Sequence, residues 1–222
     1  MFFTTSWDDG NKMDMQVAKL LKELSLKGTF YIPIKWERKS LSDSNIKKLS
    51  KRFEIGSHSF FHTRLPFLNV RNLEFEVSES KKELERITKK RVVSFAYPFG
   101  LHNKRTAFFL KKANYKFART TIERNFSVPK NPLVANISLS ISNTFASPFQ
   151  IIQRIPNYGT FASFRIFKKI VDNAKKGAVM HIAGHSWEFS NKEAFDGLAS
   201  ILEYISKKEI TPITNFEILK IS

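Results

Sequence analysis

The sequence predicts an α/β fold, a distorted (β/α)7–8 barrel that forms a single domain over residues 1–222. Short runs rich in apolar, aromatic and β-branched residues alternate with stretches whose apolar residues recur at helical spacing, which is typical of a parallel sheet with helices outside it. The 222 residues, 42% of them hydrophobic, suffice for one well-buried core and do not require a second. Candidate reactive side chains follow directly after predicted strands, where parallel barrels gather their functional groups.

The first elements illustrate how each one is assigned. Residues 2–7 form a short β-rich run that ends at the turn sequence Asp8-Asp9-Gly10. Residues 12–25 follow as a helix because their apolar residues recur every three or four positions. The same criteria predict strands at 28–34, 53–57, 92–97, 115–119, 135–141, 178–183 and 210–213, and helices at 42–51, 69–88, 104–113, 163–176 and 192–207. Residues 121–131 and 142–157, where Pro and Asn are frequent, are predicted to be long loops of the kind that shape a substrate groove.

The charge of the chain predicts anionic partners. The formal net charge is +17, and a charge of this size attracts phospholipid surfaces, phosphorylated glycans, acidic polymers or nucleic acid. Nucleic acid is not the expected partner, since no recognisable nucleic-acid-binding motif accompanies the lysines. We therefore expect a phosphate-bearing substrate or an anionic membrane surface. The alternative is that the paired lysines only solvate helix surfaces.

The composition and the apolar pattern exclude several classes of protein. The chain has no cysteine, which removes disulfides, thiolate metal sites and cysteine nucleophiles together. No apolar run approaches the roughly 18 residues of a membrane span. Met1 leads straight into the first strand, without the basic and long apolar regions of a secretory signal. We therefore expect a cytoplasmic protein that its charge could bring to the membrane periphery.

Two segments carry residues that suit a metal ion. Asp8 and Asp9 repel each other, and a metal would explain the pair if one carboxylate ligates it while the other faces the bound water. The alternative is a capping role at a turn. His58 and His62 stand four apart directly after a strand, and on a helical turn both imidazoles reach one ion, unless the two histidines are unrelated. Two histidines and one carboxylate form a well-known open site for zinc and similar ions.

Two later segments carry candidates for other roles. Residues 98–100 follow the strand predicted at 92–97, and this turn could offer backbone N–H groups to a developing oxyanion, unless it is an ordinary strand end. His185 stands at the end of the strand predicted at 178–183, beside Gly184 and Ser186, which suits a proton donor. His181 lies within that strand, the usual place of a packed or supporting residue.

These segments together resemble the ordered motifs of the polysaccharide deacetylase family, the NodB-homology or carbohydrate esterase 4 group. The matching segments are Ser6-Trp7-Asp8-Asp9-Gly10, His58-Ser59-Phe60-Phe61-His62, Tyr97-Pro98-Phe99-Gly100 and, for the last motif, His181 to Glu188. The resemblance implies a distorted barrel, usually loaded with zinc, that hydrolyses N- or O-acetyl groups on sugars. It implies the following roles: Asp8 as base, Asp9, His58 and His62 as metal ligands, Tyr97, Pro98 and Phe99 as the groove and oxyanion residues, and His185 or else His181 as acid, with Trp187 and Glu188 in support.

The sequence departs from the family at the third motif. The arginine that often orients the catalytic aspartate there is replaced by Ala96. Arg119 follows a later strand, and we hypothesise that it substitutes for the missing arginine. The family's fourth motif, an Asp/Trp segment, has no counterpart that we can place.

We predict a metal-dependent hydrolase, acting on a carbon–nitrogen bond other than a peptide bond, that removes N-acetyl or O-acetyl groups from a sugar. The expected cofactor is one divalent transition metal, Zn²⁺. The expected substrate is an oligosaccharide or a phosphate- or lipid-linked glycan precursor. The first alternative is a hydrolase of another amide or ureide on the same barrel. The second is a catalytically inactive, basic binding scaffold, against which the retention of Asp9, His58 and His62 argues.

Overall fold

The computed structural model describes residues 1–141 and 163–221, and the loop predicted at 142–157 lies outside them. Within the described residues, eight parallel strands form one curled sheet with helices packed around it. In chain order the elements are β1 (Phe2–Asp8), α1 (Asp14–Glu23), β2 (Thr29–Ile32), α2 (Asp43–Leu49), β3 (Glu54–Ser57), α3 (Val70–Thr88), β4 (Ser94–Ala96), α4 (Lys104–Lys112), β5 (Phe117–Arg119), β6 (Leu139–Ile141), α5 (Ser163–Asp172), β7 (Val179–His185), α6 (Lys192–Ser206) and β8 (Thr211–Pro212). This architecture confirms the predicted single-domain (β/α) barrel.

Every predicted strand and helix has a counterpart, and the differences lie at the ends. Most elements are a few residues shorter than predicted at one end or at both ends. The terminal residues of a helix or strand lose their regular hydrogen bonds where a loop begins. The strand predicted at 178–183 instead runs on to His185. Residues 121–131 contain no helix or strand, as predicted for a loop.

Residues 132–141 join the two edges of the sheet. Ala135 bridges Arg119 of β5, and the Thr120 N–H donates to the Ala135 carbonyl at 2.8 Å. A few residues later β6 pairs with β7, with Leu139 beside Ile182. The strand predicted at 135–141 therefore consists of two short pairings with different neighbours, and only its last three residues form β6.

The register of β1 determines which side chains lie together at the carboxyl ends of the strands. β1 pairs with β2 on one side and with β7 on the other, and this places Asp8 beside Tyr31 and His185. Alternate residues of a strand face opposite sides of the sheet. Ser6 and Asp8 face polar side chains inside the barrel, whereas Trp7 is buried in the hydrophobic core. Because all strands are parallel, their carboxyl ends meet at one rim.

The helices cover the sheet through amphipathic faces. In α3 the Asn69 side chain accepts the Asn72 N–H at 2.9 Å, which caps the helix start. Leu73, Val77 and Leu84 of α3 are fully buried against the sheet. No helix in residues 1–141 and 163–221 is both long and apolar enough to cross a bilayer.

Candidate active site

A cavity of about 930 Å³ opens at the rim where the strands end. Ten of the residues singled out from the sequence line it: Asp8, Asp9, His58, His62, Tyr97, Phe99, Arg119, His185, Trp187 and Glu188. Pro98 and His181 are buried and do not line the cavity. The fold therefore brings together residues from the ends of β1, β3, β4, β5 and β7.

His181 lies below the cavity, inside the barrel. Its Nε2 accepts a hydrogen bond from Asn215 Nδ2 at 3.2 Å and lies 2.9 Å from Ser6 Oγ. Burial, together with the positive charge of Arg119, lowers the pKa of His181 to about 3, so its ring is neutral. His185 lies on the same face of β7, about 13 Å further along the strand, and faces the cavity.

The side chains of Asp9, His58 and His62 converge at the floor of the cavity. Their ligand atoms all lie within 4.8 Å of one another. The Nε2 atoms of the two histidines are 3.1 Å apart, and Asp9 Oδ1 lies 3.5 Å from His62 Nε2 and 3.9 Å from His58 Nε2. Two ligands in a tetrahedral zinc site, each about 2.0–2.1 Å from the ion, are about 3.3 Å apart. The three side chains could therefore hold one zinc-sized ion with little movement.

The hydrogen-bond partners of His58 and Asp9 leave the right atoms available for a cation. His58 Nδ1–H donates to the Ala96 carbonyl at 2.8 Å, which fixes the tautomer whose Nε2 lone pair faces the cluster. Trp187 Nε1–H donates to Asp9 Oδ2 at 2.9 Å. The other oxygen, Asp9 Oδ1, is buried and accepts no hydrogen bond within the described part of the chain. A buried carboxylate oxygen without a partner is costly unless a cation faces it, so the donor set fits a metal.

The turn that carries both histidines is held by Glu76 of α3. One Glu76 oxygen, Oε2, accepts the backbone N–H groups of Phe60 and Phe61 at 2.8 and 2.9 Å, and the side chain is buried. His62 itself adopts a left-handed backbone with φ of 56°, which costs about 1–3 kcal/mol in a residue with a side chain. Glu76 supplies an acceptor that stabilises this turn. Its role could not be predicted from the sequence, because it lies within a mixed-charge stretch of α3.

Asp8 lies beside the metal-ligand cluster and forms a buried ion pair. An Arg119 guanidinium N–H donates to Asp8 Oδ1, and Asp8 Oδ2 lies 3.7 Å from His58 Nε2. Burial raises the pKa of Asp8, but Arg119, His58 and His185 outweigh burial and lower it to about 2. Asp8 is therefore ionised. Arg119 makes the contact with Asp8 that its hypothesised role requires.

His185 stands next to Asp8 across the β1–β7 pair. Its Nδ1 lies 2.9 Å from Glu188 Oε1, and a carboxylate only accepts, so Nδ1 carries the proton. Burial lowers the pKa of His185, but Glu188, Asp8 and Asp9 together raise it above the usual value. The ring is thus biased towards its protonated form, with Nε2 as its second donor.

Aromatic rings form the wall of the cavity. Trp36 stacks on His62 with ring centroids 4.3 Å apart, and the Phe99 ring meets His62 edge-on at 4.8 Å. The Arg38 guanidinium lies 4.2 Å from the Trp187 ring. Trp36 and Arg38 were not among the residues predicted from the sequence, although they follow β2, and their position after a strand is the signal that could have identified them.

The sequence matches the profile of a known protein family. The sequence profile of the family described as polysaccharide deacetylase matches residues 3–118, just over half of the chain. This chain belongs to the polysaccharide deacetylase family. The match covers the first three motifs of the deacetylase pattern, including all three candidate metal ligands, and confirms the resemblance seen in the sequence.

Several relatives resemble this deacetylase-family chain. YxkH of Bacillus subtilis (strain 168), which carries the family's name, is 26% identical over 120 residues, 52% of this chain and 43% of its own length. A polysaccharide deacetylase structure from Bacillus cereus is 32% identical, with a TM-score of 0.54, over 60% of this chain and 45% of its own. A Mycobacterium smegmatis structure named for the same family is 12% identical, with a TM-score of 0.73 over 98% of this chain and 89% of its own, and shows the shared fold. The chain thus spans less than half the length of the first two relatives.

Proposed function

We propose that this protein is a metal-dependent deacetylase that hydrolyses acetyl groups on a sugar. The observation that carries the proposal is the convergence of Asp9, His58 and His62 on one point, next to the ionised Asp8 and the histidine His185. Family membership supports the reaction class, and the Bacillus cereus relative is itself named a polysaccharide deacetylase.

Asp9, His58 and His62 would hold the cation, and their set of two nitrogens and one oxygen suits Zn²⁺. A cation there would polarise the acetyl carbonyl and lower the pKa of a bound water. Asp8 accepts a proton from the attacking water, since Arg119 keeps it ionised and leaves Oδ2 directed at the cluster. The Phe99 N–H, at the cavity edge, stabilises the oxyanion.

His185 completes the reaction as the acid. The carbon–nitrogen bond breaks as the acetyl carbon keeps the water oxygen, and the amine nitrogen needs a proton to leave. His185 supplies that proton from Nε2, while Glu188 holds Nδ1–H and favours the charged ring. The products are acetate and a free amino sugar. For an O-acetyl group, the same proton goes to the leaving alkoxide.

The narrower substrate class that we propose is a sugar that bears phosphate or lies on a lipid phosphate. Trp36, Phe99 and Trp187 offer ring faces and edges against which a pyranose can pack. Arg38 stands over Trp187 at the mouth, and Arg64 stands 5.3 Å from the Phe99 ring. These two guanidinium groups suit a phosphate next to the sugar. A cytoplasmic location and contact with the membrane periphery stay predictions.

The test is metal content followed by acetate release. The purified protein should contain about one transition metal ion per chain, and His58→Ala should lose it, because one of three ligands is removed. Acetate release should then be measured on N-acetyl sugars with and without phosphate, beside O-acetyl sugars and small cyclic amides and ureides.

The outcomes separate the candidate functions. Zinc-dependent release of acetate from sugars supports the proposal, and faster release from the phosphorylated sugars supports the narrower substrate class. Turnover of the cyclic amides alone would assign the barrel to another carbon–nitrogen bond. The absence of bound metal in the unsubstituted protein, even after zinc is added, would leave the inactive binding scaffold as the better description.

A further inference from the structure

An exposed aromatic and basic surface flanks the mouth of the cavity on the side of α3 and α4. Four phenylalanines project from it, and Phe67 and Phe108 are 77% and 62% exposed. We call this surface the aromatic–basic face. Its members are Phe61, Phe67, Phe75 and Phe108, together with the exposed cations Arg64, Arg71, Lys104, Arg105, Lys111 and Lys112.

Contacts hold the parts of this face together. The rings of Phe61 and Phe75 stack with centroids 6.1 Å apart. Arg105 Nη2 of α4 donates to the carbonyls of Pro66 and Leu68 at 2.9 and 2.6 Å, on either side of Phe67. Phe108 lies one helical turn beyond Arg105, on the same side of α4. The turn at 65–67 and the start of α4 therefore present their phenylalanines on adjoining surface.

The face adjoins the mouth of the cavity. Phe61 immediately precedes His62, and Arg64 stands over the ring of Phe99. Phe99 lines the cavity and is itself half exposed. The end of the face that Phe61 and Arg64 form therefore lies beside the entrance.

The charge of the face is strongly one-sided. Residues 61–75 and 101–112 contain the six lysines and arginines of the face and one acidic residue, Glu74. Glu74 is already paired with Lys112 at 2.8 Å. A second copy of this chain would bring the same cations against them, which disfavours self-association through this face.

We propose that the aromatic–basic face docks on the surface of an anionic lipid bilayer. A contiguous exposed aromatic patch ringed by polar residues marks an interaction site. The headgroup layer accepts aromatic rings at its apolar boundary, while lysine and arginine beside them are attracted to anionic lipids. Docking brings the cavity mouth to the depth of the lipid phosphates. The docking itself does not depend on the proposed deacetylase activity.

Vesicle co-sedimentation of the full chain tests the proposal. The protein should pellet with vesicles of equal parts phosphatidylglycerol and phosphatidylcholine and stay in solution with phosphatidylcholine alone. F67S/F108S keeps every charge, and both side chains are exposed, so the fold should persist while vesicle affinity falls by about tenfold or more. An unchanged circular dichroism spectrum and melting temperature would verify that the variant is folded.

Two charge-reversal variants distinguish attraction of the lipid to the aromatic–basic face from attraction to the net charge of the whole chain. R71E/K104E reverses two charges on the face and should weaken vesicle binding at least about tenfold. K175E/K176E reverses two exposed charges just before β7, at the opposite end of the strands, and should bind as the unsubstituted protein does. Equal losses in the two pairs, or full vesicle binding by F67S/F108S, would overturn the proposal. The proposal would also fail if the unsubstituted protein self-associated or bound an oligonucleotide, and F67S/F108S abolished that interaction but left vesicle binding unchanged.

Discussion

At the residue scale, burial and neighbouring charges have opposite effects on the pKa of Asp8. Burial disfavours its charge, whereas the Arg119 guanidinium and the neighbouring histidines favour it, and the net effect lowers its pKa to about 2. The other carboxylate of the pair, Asp9, has one oxygen bound to the Trp187 indole and the other directed at His62. Asp8 and Asp9 are adjacent, yet we propose different roles for them, because their side chains leave the end of β1 in different directions.

Replacement of Asp8 by Asn should separate these two tasks. We expect Asp8→Asn to keep about one metal ion per chain and to lower kcat by about 10²–10⁴-fold, since it removes a positioned base and leaves the three ligands in place. Asp9→Asn is the matched control and should lose the metal. Near-normal turnover by Asp8→Asn would refute the assignment of the base.

The pH dependence of turnover should report on His185. An acid must be protonated to act, and the raised pKa keeps His185 protonated to higher pH, so activity is lost as pH rises through that pKa. Glu188→Gln removes the acceptor charge at 2.9 Å and should move the alkaline limb of the kcat/KM profile to lower pH. An unchanged alkaline limb would show that another group is the acid.

At the scale of elements, α3 supports the turn that follows β3. Glu76 accepts two backbone N–H groups between His58 and His62, so the spacing of the two imidazoles depends on this helix. We expect Glu76→Ala to weaken metal affinity by about 10–100-fold, the usual effect of losing a supporting partner, as measured by competition with a chelator.

Two further variants distinguish positioning from general damage. Glu76→Gln retains an oxygen acceptor and should recover much of the affinity for the metal. Glu74→Gln changes an exposed salt bridge on the same helix, which contributes little, and should behave as the unsubstituted protein. If Glu76→Ala bound metal normally, the turn would be held by other contacts.

The strand ends, and with them Arg119, could be predicted from the sequence, whereas the supporting contact of Glu76 could not. The runs that end at Asp8 and His58 gave the rim of the barrel, because the carboxyl ends of parallel strands must meet. The role of Glu76 could not be predicted, because its side chain is buried only when the turn after β3 folds back over α3. His181 and His185 lie four positions apart on β7 and face the same side of the curled sheet. Only the direction of the strand therefore determines which ring is buried and which one faces the cavity.

At the scale of the whole molecule, the pattern of alternating strands and helices predicted the barrel, but not how its edges join. Residues 135–141 were predicted as one strand because their apolar residues alternate, yet Ala135 and Leu139 pair with opposite edges of the sheet. The net charge of +17 likewise predicted an anionic partner without locating it. The binding surface that we propose for it, the aromatic–basic face, depends on α3 and α4 being neighbours.

The pairing of β1 with β7 has a consequence for synthesis on the ribosome. The three candidate metal ligands lie within the first part of the chain, whereas the indole that orients Asp9 belongs to Trp187, which follows it by 178 positions. At about 5–20 residues per second, on the order of ten seconds separate the emergence of His62 from that of His185. A nascent chain therefore carries all three candidate metal ligands early, yet it gains His185 beside Asp8 only when β7 pairs with β1.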